Sequence, residues 1–160
     1  MSEIPNVAVH EVDLARVSAV HERIDEFDPW FIANYYGNEG VNDKEPYFLV
    51  ATHNDQDAGY AVCYDRGAET EEPSFHLWLA GVVREQRQHG VFSALAVATE
   101  AEAVRRGHSR ITVTSFREKF PAMVHTLPRH GFTILSEEVT TSSDGTSSTK
   151  VRFSKELNGA

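Results

Sequence analysis

With 160 residues, of which 41% are hydrophobic and 10% aromatic, the chain is long enough for one domain with a buried core and too short for two of ordinary size. Its 15 Lys and Arg against 24 Asp and Glu give a formal charge of -9, which argues against a nucleic-acid binder because phosphate backbones require a basic surface. The single cysteine, Cys63, excludes an internal disulfide, and no Cys and His spacing typical of a zinc site is present.

The first half of the chain changes between strand and helix patterns. Residues 6–13 alternate apolar and polar side chains like a half-buried strand, and residues 14–27 take up helical spacing. An early proline and a closing glycine favour a short helix over residues 29–37. Strands are predicted over residues 47–53 and 58–65, on either side of the turn sequence Asn-Asp-Gln-Asp, which indicates a hairpin.

The middle of the chain predicts a buried strand, a long helix and a second strand. Residues 75–83 are almost continuously apolar, as in a strand covered on both faces. The helix is expected from residue 91 to 106 and ends at Gly107, after two arginines that complement the helix dipole. Residues 110–116 are rich in β-branched side chains and predict a strand.

The last part of the chain predicts a short helix and a hairpin. The helix covers residues 121–127, and Pro128 is expected to terminate or kink it. Residues 132–141 and 148–157 flank the turn residues Asp144-Gly145. The pattern as a whole predicts one α/β (α+β) domain over residues 1–160, with a mixed, mostly antiparallel sheet and about four helices.

The connection between residues 82 and 92 carries the chemistry that is easiest to read from sequence. A helix begins directly after it, and a helix start presents backbone N–H groups and partial positive charge to an anion. Gly90 would allow close approach of the backbone, and Arg84 and Arg87 would add charge. The connection alone is equally compatible with an ordinary polar turn. It contains no GxGxxG or GxxxxGK[ST] pattern, which argues against dinucleotide and P-loop sites.

A wider set of residues resembles a known family. Val82, the run Arg87-Gln88-His89-Gly90 and Leu95 are similar to the acyl-CoA signature of the GNAT superfamily of N-acyltransferases, a valine followed by [QR]xxGx[GA] and a leucine. The order of predicted elements fits the family over nearly the full length, and residues 121–132 resemble its second conserved segment. The resemblance implies a central pair of parallel strands that splay apart to admit the pantetheine arm of CoA.

The resemblance also implies which residues bind the cofactor. Backbone amides of the loop would hold the CoA pyrophosphate: Arg87, Gln88, His89, Gly90, Val91 and Phe92. Gly81 would mark a strand bulge that leaves backbone groups of Ala80 and Val82 to pair with the pantetheine arm. The strand–helix–strand segment 75–116 is therefore the expected acyl-CoA-binding core.

The sequence departs from the family pattern at three positions. Phe92 stands where the signature usually has Gly or Ala. Leu127 stands where many members carry a tyrosine that protonates the departing sulfur, and Phe120 where an asparagine is frequent. Because a thiol has a pKa of about 8.5, its thiolate can leave without a dedicated acid.

Direct attack of an amine on a thioester needs a base that removes the ammonium proton. His76 is the sharpest candidate, because an imidazole titrates near working pH; the alternative is a hydrogen-bonded core histidine. Glu72 could act through a water molecule, unless it belongs to a solvated acidic loop. Other polar side chains could serve as hydrogen-bond donors or as a substitute acid, although packing roles fit them as well: Tyr60, Tyr64, Ser115 and His125.

The resemblance implies that the acceptor lies over residues 14–46, the region that varies most within the family. This segment holds aromatic and acidic side chains side by side, which could serve the core or a cationic amine pocket: Phe27, Trp30, Phe31, Tyr35 and Tyr36, with Asp25, Glu26 and Asp28.

The sequence thus predicts an N-acetyltransferase that moves the acetyl group of acetyl-CoA to a primary amine of a small molecule or peptide. The alternatives are a non-catalytic acyl-CoA-binding module and an interaction domain that binds no CoA. No metal, nucleic-acid or membrane partner is expected, and a homodimer is allowed. Without a signal segment or an apolar run long enough to cross a bilayer, a cytoplasmic location is expected.

Overall fold

The computed structural model describes residues 6–24, 46–66, 74–118 and 120–157. Seven strands in these ranges form one sheet, in the hydrogen-bonded order β1-β2-β3-β4-β5-β7-β6. Their bounds are β1 Val7–Glu11, β2 Tyr47–His53, β3 Gln56–Arg66, β4 Ser74–Val82, β5 Arg110–Phe116, β6 Thr133–Thr141 and β7 Ser147–Glu156. The sheet is mixed and contains one parallel pair, as predicted.

Three α-helices lie in the described ranges: α1 Leu14–His21, α2 Val91–Arg105 and α3 Pro121–Thr126. About four helices were expected, and the helix predicted over residues 29–37 lies outside the described residues. The chain divides into two compact units. The first comprises Met1–Asp65 with Leu77–Glu102, and the second comprises Arg66–His76 with Ala103–Ala160.

In the first unit, helix α1 covers one face of strands β2 and β3. Asp13 caps the helix, since its carboxylate accepts a hydrogen bond from the Arg16 amide at 3.1 Å. Below the helix lies an apolar cluster of fully or nearly fully buried side chains: Val17, Val20, Ile24, Val50, Tyr60, Val62 and Val83.

Helix α1 was predicted to reach residue 27 but ends at His21. The chain tightens there into i→i+3 hydrogen bonds, from the Arg23 amide to the Val20 carbonyl at 3.0 Å and from the Ile24 amide to the His21 carbonyl at 3.1 Å. The apolar spacing therefore continues for one more turn although the regular helix has ended.

The β2–β3 hairpin turns through two residues, Asn54 and Asp55, which have φ values of 53° and 65°. Positive φ at both central positions is the geometry of a type I′ turn, whose twist matches that of the flanking strands. Strand β3 consequently begins at Gln56, two residues earlier than predicted. His53 and Gln56 are the paired residues that flank the turn.

Helix α2 covers the opposite face of β3. Side chains alternate between the faces of a strand, so Tyr60 points toward α1 and Cys63 toward α2. The Cys63 thiol lies 3.9 Å from the hydroxyl of Thr99, which also donates to the Leu95 carbonyl at 2.8 Å. Cys63 is completely buried, as expected for a small apolar side chain.

In the second unit, β7 lies between β5 and β6 and is antiparallel to both. The predicted helix over residues 121–127 ends at Thr126, two residues before Pro128, which was expected to terminate or kink it. The chain continues as a 3₁₀ turn over Leu127–His130, which tolerates a proline near its start. The turn ends at Gly131, whose φ of 91° is a left-handed conformation that glycine adopts without strain.

Candidate active site

The loop between β4 and α2 contains two residues in the left-handed conformation. After Val82 the chain makes a 3₁₀ turn over Arg84–Gln86, and α2 begins at Val91. Between them, Gln88 and Gly90 have φ values of 68° and 80°. Arg87, before them, is extended, with φ -73° and ψ 155°. Left-handed residues in a turn that leads into a helix start are a feature of loops whose backbone N–H groups bind anions.

The start of helix α2 adds further features that favour binding of an anion. The Ala94 amide donates to the Gly90 carbonyl at 3.0 Å, so Gly90 directly precedes the first turn of α2. The first turn of an α-helix presents N–H groups to whatever lies before it. The aligned peptide dipoles add partial positive charge at the same end. The loop can therefore bind a phosphate through its backbone.

Arg87 has a role that the sequence did not indicate. Its Nε donates to the Val82 carbonyl at 2.9 Å, which fastens the loop to the end of β4. The sequence predicted that this side chain adds charge for a phosphate, and that role stays a prediction. The hydrogen bond gives Arg87 a structural contact with the strand end as well.

Gly59 fixes the spacing beneath the loop. A Cβ atom on this residue would lie 2.8 Å from the Gly81 carbonyl oxygen and 2.9 Å from a methyl carbon of Val91. Only glycine therefore lets β3 approach both β4 and the first residue of α2 so closely. Sequence reasoning missed this role, although a glycine inside a strand is a recognised sign of close backbone approach.

A second feature that the sequence did not indicate is a contact between the β2–β3 hairpin and the loop. The Nδ1 atom of His53 lies 2.7 Å from Oε1 of Gln86, in the 3₁₀ turn. The same imidazole stacks on that of His89, with ring centroids 4.7 Å apart and an interplanar angle of 21°. No sequence pattern pairs a strand end with a loop 33 residues further on.

His76, the predicted base, lies in the second unit and is 5% exposed. Its Nδ1 atom is 2.8 Å from the Thr112 hydroxyl, which also lies 2.7 Å from the hydroxyl of Ser74. Burial lowers the pKa of His76 from 6.5 to about 3, and the charges of Arg66 and Arg152 act in the same direction. The imidazole is therefore neutral at pH 7, but it is a weak base in this environment.

Other predicted site residues are distributed as follows. Ala80 and Val82 are half-buried at the end of β4, and the residues from Arg87 to Phe92 form the loop and the first turn of α2. Leu127 has a hydrocarbon side chain and so offers no proton to a leaving group; it is completely buried and packs within the second unit. Glu72 and the aromatic and acidic cluster between residues 25 and 36 lie outside the described residues.

The remaining candidate donors have packing or surface positions. Tyr60 is completely buried, and its hydroxyl pairs with Nδ1 of His21 at 2.7 Å. Tyr64 is half-buried and packs against the apolar cluster below α1. Ser115 is buried within β5, whereas His125 is exposed.

The described part of the chain contains no group of three or more His, Cys, Asp or Glu residues arranged to hold a metal ion. None of the helices described there is long and apolar enough to span a bilayer.

Comparison with known families assigns the chain to a class. A profile of the "Acetyltransferase (GNAT) family" matches residues 10–132, which include the β4–α2 loop and Leu127. The chain belongs to this family and is an acyl-CoA-dependent acetyltransferase. No curated protein matches the sequence significantly.

Solved structures share the fold at low sequence identity. A candidate GNAT-family acetyltransferase from Desulfovibrio desulfuricans is 20% identical with a TM-score of 0.72, and the alignment covers 94% of this chain and 98% of that one. The ribosomal-protein-S18-alanine N-acetyltransferase of Escherichia coli is 16% identical with a TM-score of 0.71, over 94% of each chain. A GNAT family acetyltransferase from Elizabethkingia anophelis with acetyl-CoA bound is 13% identical with a TM-score of 0.68, over 96% of this chain and 99% of that one.

Proposed function

We propose that the protein transfers the acetyl group of acetyl-CoA to a primary amine of a small molecule or peptide by direct attack. The observation that carries the proposal is the loop between Val82 and Val91, with left-handed Gln88 and Gly90 leading into a helix start. This arrangement suits the diphosphate of CoA. The acetyl-CoA bound to the Elizabethkingia anophelis acetyltransferase supports the same donor for this chain.

Two sets of residues would hold the donor. The amides of the loop and first helical turn would bind the diphosphate. Backbone groups of Ala80 and Val82, both half-buried, would pair with the pantetheine arm. Arg87 would support both sets, because its hydrogen bond to Val82 ties the loop to the strand end.

The reaction needs little acid–base assistance from the protein. The neutral amine attacks the thioester carbon, the carbon–sulfur bond breaks, and the sulfur leaves as a thiolate, which takes a proton from water. The ammonium-like nitrogen then loses its proton to a base or to solvent. Because Leu127 cannot supply a proton and His76 is a weak base, positioning of the two reactants would supply most of the rate acceleration.

The low pKa of His76 bears on the choice of base. His76 is retained as a candidate, since its imidazole is neutral at pH 7 and can accept a proton. A pKa of about 3 makes proton removal from an ammonium group unfavourable, which favours solvent or Glu72 through a water molecule. The rate should then rise with pH as the acceptor becomes a free amine.

The acceptor is proposed to be cationic before it reacts. The formal charge of -9 would attract an ammonium group and repel phosphate-rich polymers, so no nucleic-acid substrate is proposed. The Escherichia coli neighbour is an N-acetyltransferase of an alanine in ribosomal protein S18, which makes a peptide amine one acceptor class to test.

A non-catalytic acyl-CoA-binding module is the second candidate function. The specific observation that favours it is the pair formed by a buried leucine at position 127 and a buried histidine with a low pKa at position 76. Such a protein would keep the cofactor loop and lack the means to turn the bound thioester over.

Two measurements test the proposal. Isothermal titration calorimetry with acetyl-CoA and with CoA should show binding of both, because both carry the diphosphate. Release of the CoA thiol should then depend on added amine when small amines, amino acids and peptides are compared. Absence of CoA binding contradicts both candidate functions, whereas binding without amine-dependent release at any pH between about 7 and 10 supports the module.

A further inference from the structure

We infer that His53, at the end of strand β2, is a positioning residue that holds the β4–α2 loop in the shape that receives the CoA diphosphate. The inference rests on the proposed function of that loop. It assigns a role to a residue that lies far from the loop in sequence and outside the signature that resembles the family.

His53 lies on a strand that is paired on both sides. It pairs with Val7 of β1 on one side and with Gln56 of β3 on the other. The two-residue turn that follows is fastened to the start of β1 by the hydrogen bond from the Asn54 amide to the Asn6 carbonyl at 3.0 Å. A side chain mounted on a paired strand is held more precisely than one mounted on a loop.

The imidazole contacts the loop in two different ways. Because Oε1 of Gln86 can only accept, Nδ1 of His53 is the donor in the 2.7 Å hydrogen bond between them. The flat face of the same ring stacks on His89, with the centroids 4.7 Å apart. One contact holds the 3₁₀ turn in the first half of the loop, and the other holds His89, between left-handed Gln88 and Gly90.

These two contacts bear on affinity through preorganisation. A loop that is already ordered loses less conformational freedom when an anion binds to its amides. Removing the imidazole should therefore weaken binding of a ligand that carries the diphosphate, and should leave binding of the pantetheine part unchanged. A purely structural histidine would affect both ligands alike.

The experiment compares CoA with pantetheine, which lacks the diphosphate, for the parent protein and His53→Ala. We expect the Kd of CoA, measured by calorimetry, to rise about ten-fold, as for the loss of about one hydrogen bond. The Kd of pantetheine, measured by NMR titration, should not change. His10→Ala is the matched control, because His10 is an exposed histidine on the adjacent strand β1 and its Nε2 lies 3.5 Å from the Thr52 hydroxyl.

Two partial substitutions separate the contacts. His53→Phe retains a ring for stacking, and His53→Asn retains a donor near the position of Nδ1, so each should recover part of the CoA affinity. Hydrogen–deuterium exchange without ligand should be faster at Gly90 and Val91 in His53→Ala than in the parent. If His53→Ala loses affinity for CoA and pantetheine equally, or if its Kd for CoA is unchanged, the inference is overturned. Failure of the parent protein to bind CoA overturns the proposed function itself, which is a different result.

Discussion

The carbonyl oxygen of Gly81 lies 2.8 Å from the place that a Cβ atom on Gly59 would occupy. Since real Cβ atoms do not approach backbone oxygens so closely, Gly59→Ala must push β3 and β4 apart. We expect a loss of about 1–3 kcal/mol in the free energy of unfolding, measured by urea denaturation. Adding Val91→Ala to Gly59→Ala should restore only part of the lost free energy. The second substitution removes the contact with the Val91 methyl group but leaves the contact with the Gly81 carbonyl. Full recovery would show that the backbone contact is unimportant.

Gly90→Val should weaken CoA binding by about ten-fold or more, because a branched side chain disfavours the left-handed turn that directs the amides. Gly107→Val is the matched control: Gly107 also has a positive φ, of 86°, and a Cβ atom there would meet nothing within 4 Å. Both variants should lose stability in thermal unfolding. Calorimetry with CoA should separate them, and equal CoA affinity for the two would place the diphosphate elsewhere.

Arg87→Ala should raise the Kd of CoA by about ten-fold, through loss of the hydrogen bond that ties the loop to Val82. Arg87→Lys distinguishes the two roles of this side chain. A lysine keeps the charge but cannot reproduce the Nε–H contact, so a structural role leaves Arg87→Lys as weak as Arg87→Ala. Recovery of affinity in Arg87→Lys, with strong dependence on salt in calorimetry, would assign the contribution to charge instead.

His76 should make the protein sensitive to mild acid. Its pKa is about 3 in the folded protein against 6.5 when unfolded, so the unfolded chain binds an additional proton between these values and stability falls as pH falls below 6.5. Between about pH 7.5 and pH 5 the loss should be about 2 kcal/mol. In His76→Gln the loss over the same pH range should be smaller by about that amount. His130, whose pKa is also lowered by burial, is common to both proteins and cancels in the comparison.

His76→Ala tests the predicted catalytic role. If His76 is the base, the turnover number should fall by about 10²- to 10⁴-fold while the Kd of CoA is unchanged. The pKa of about 3 and the contact with Thr112 favour the other result, a lower melting temperature with turnover of the folded protein nearly intact. The measurement therefore needs both thermal unfolding and amine-dependent thiol release on the same preparation.

Much of the fold follows from local patterns. Strand β5 has the predicted bounds, Arg110–Phe116, because its β-branched residues have no competing helical period. Helix α2 begins at Val91 as predicted and ends one residue early, since glycine after a run of helix formers is a strong stop signal. The early end of α1 at His21 was not predictable, because apolar spacing continues to Ile24 while the backbone has already changed to i→i+3 bonds.

Only the part of the candidate site that lies in one short segment could be predicted from the sequence, and its contacts with the cofactor stay a prediction. The loop from Arg87 to Phe92 is continuous in sequence, so its spacing could be read directly. The contact of His53 with Gln86 joins residues from different elements, and sequence periodicity gives the face of a strand without giving its neighbour in space. The low pKa of His76 depends in the same way on burial and on the distant Arg66 and Arg152.

The position of Cys63 has a practical consequence for assays. It is the chain's one cysteine, and its side chain is completely buried beside Thr99. A buried thiol in apolar surroundings reacts slowly with disulfide reagents. A chromogenic disulfide added during turnover should therefore titrate only the sulfur released from the donor, with no colour contributed by the native protein, and a slow signal that grows on heating would report unfolding.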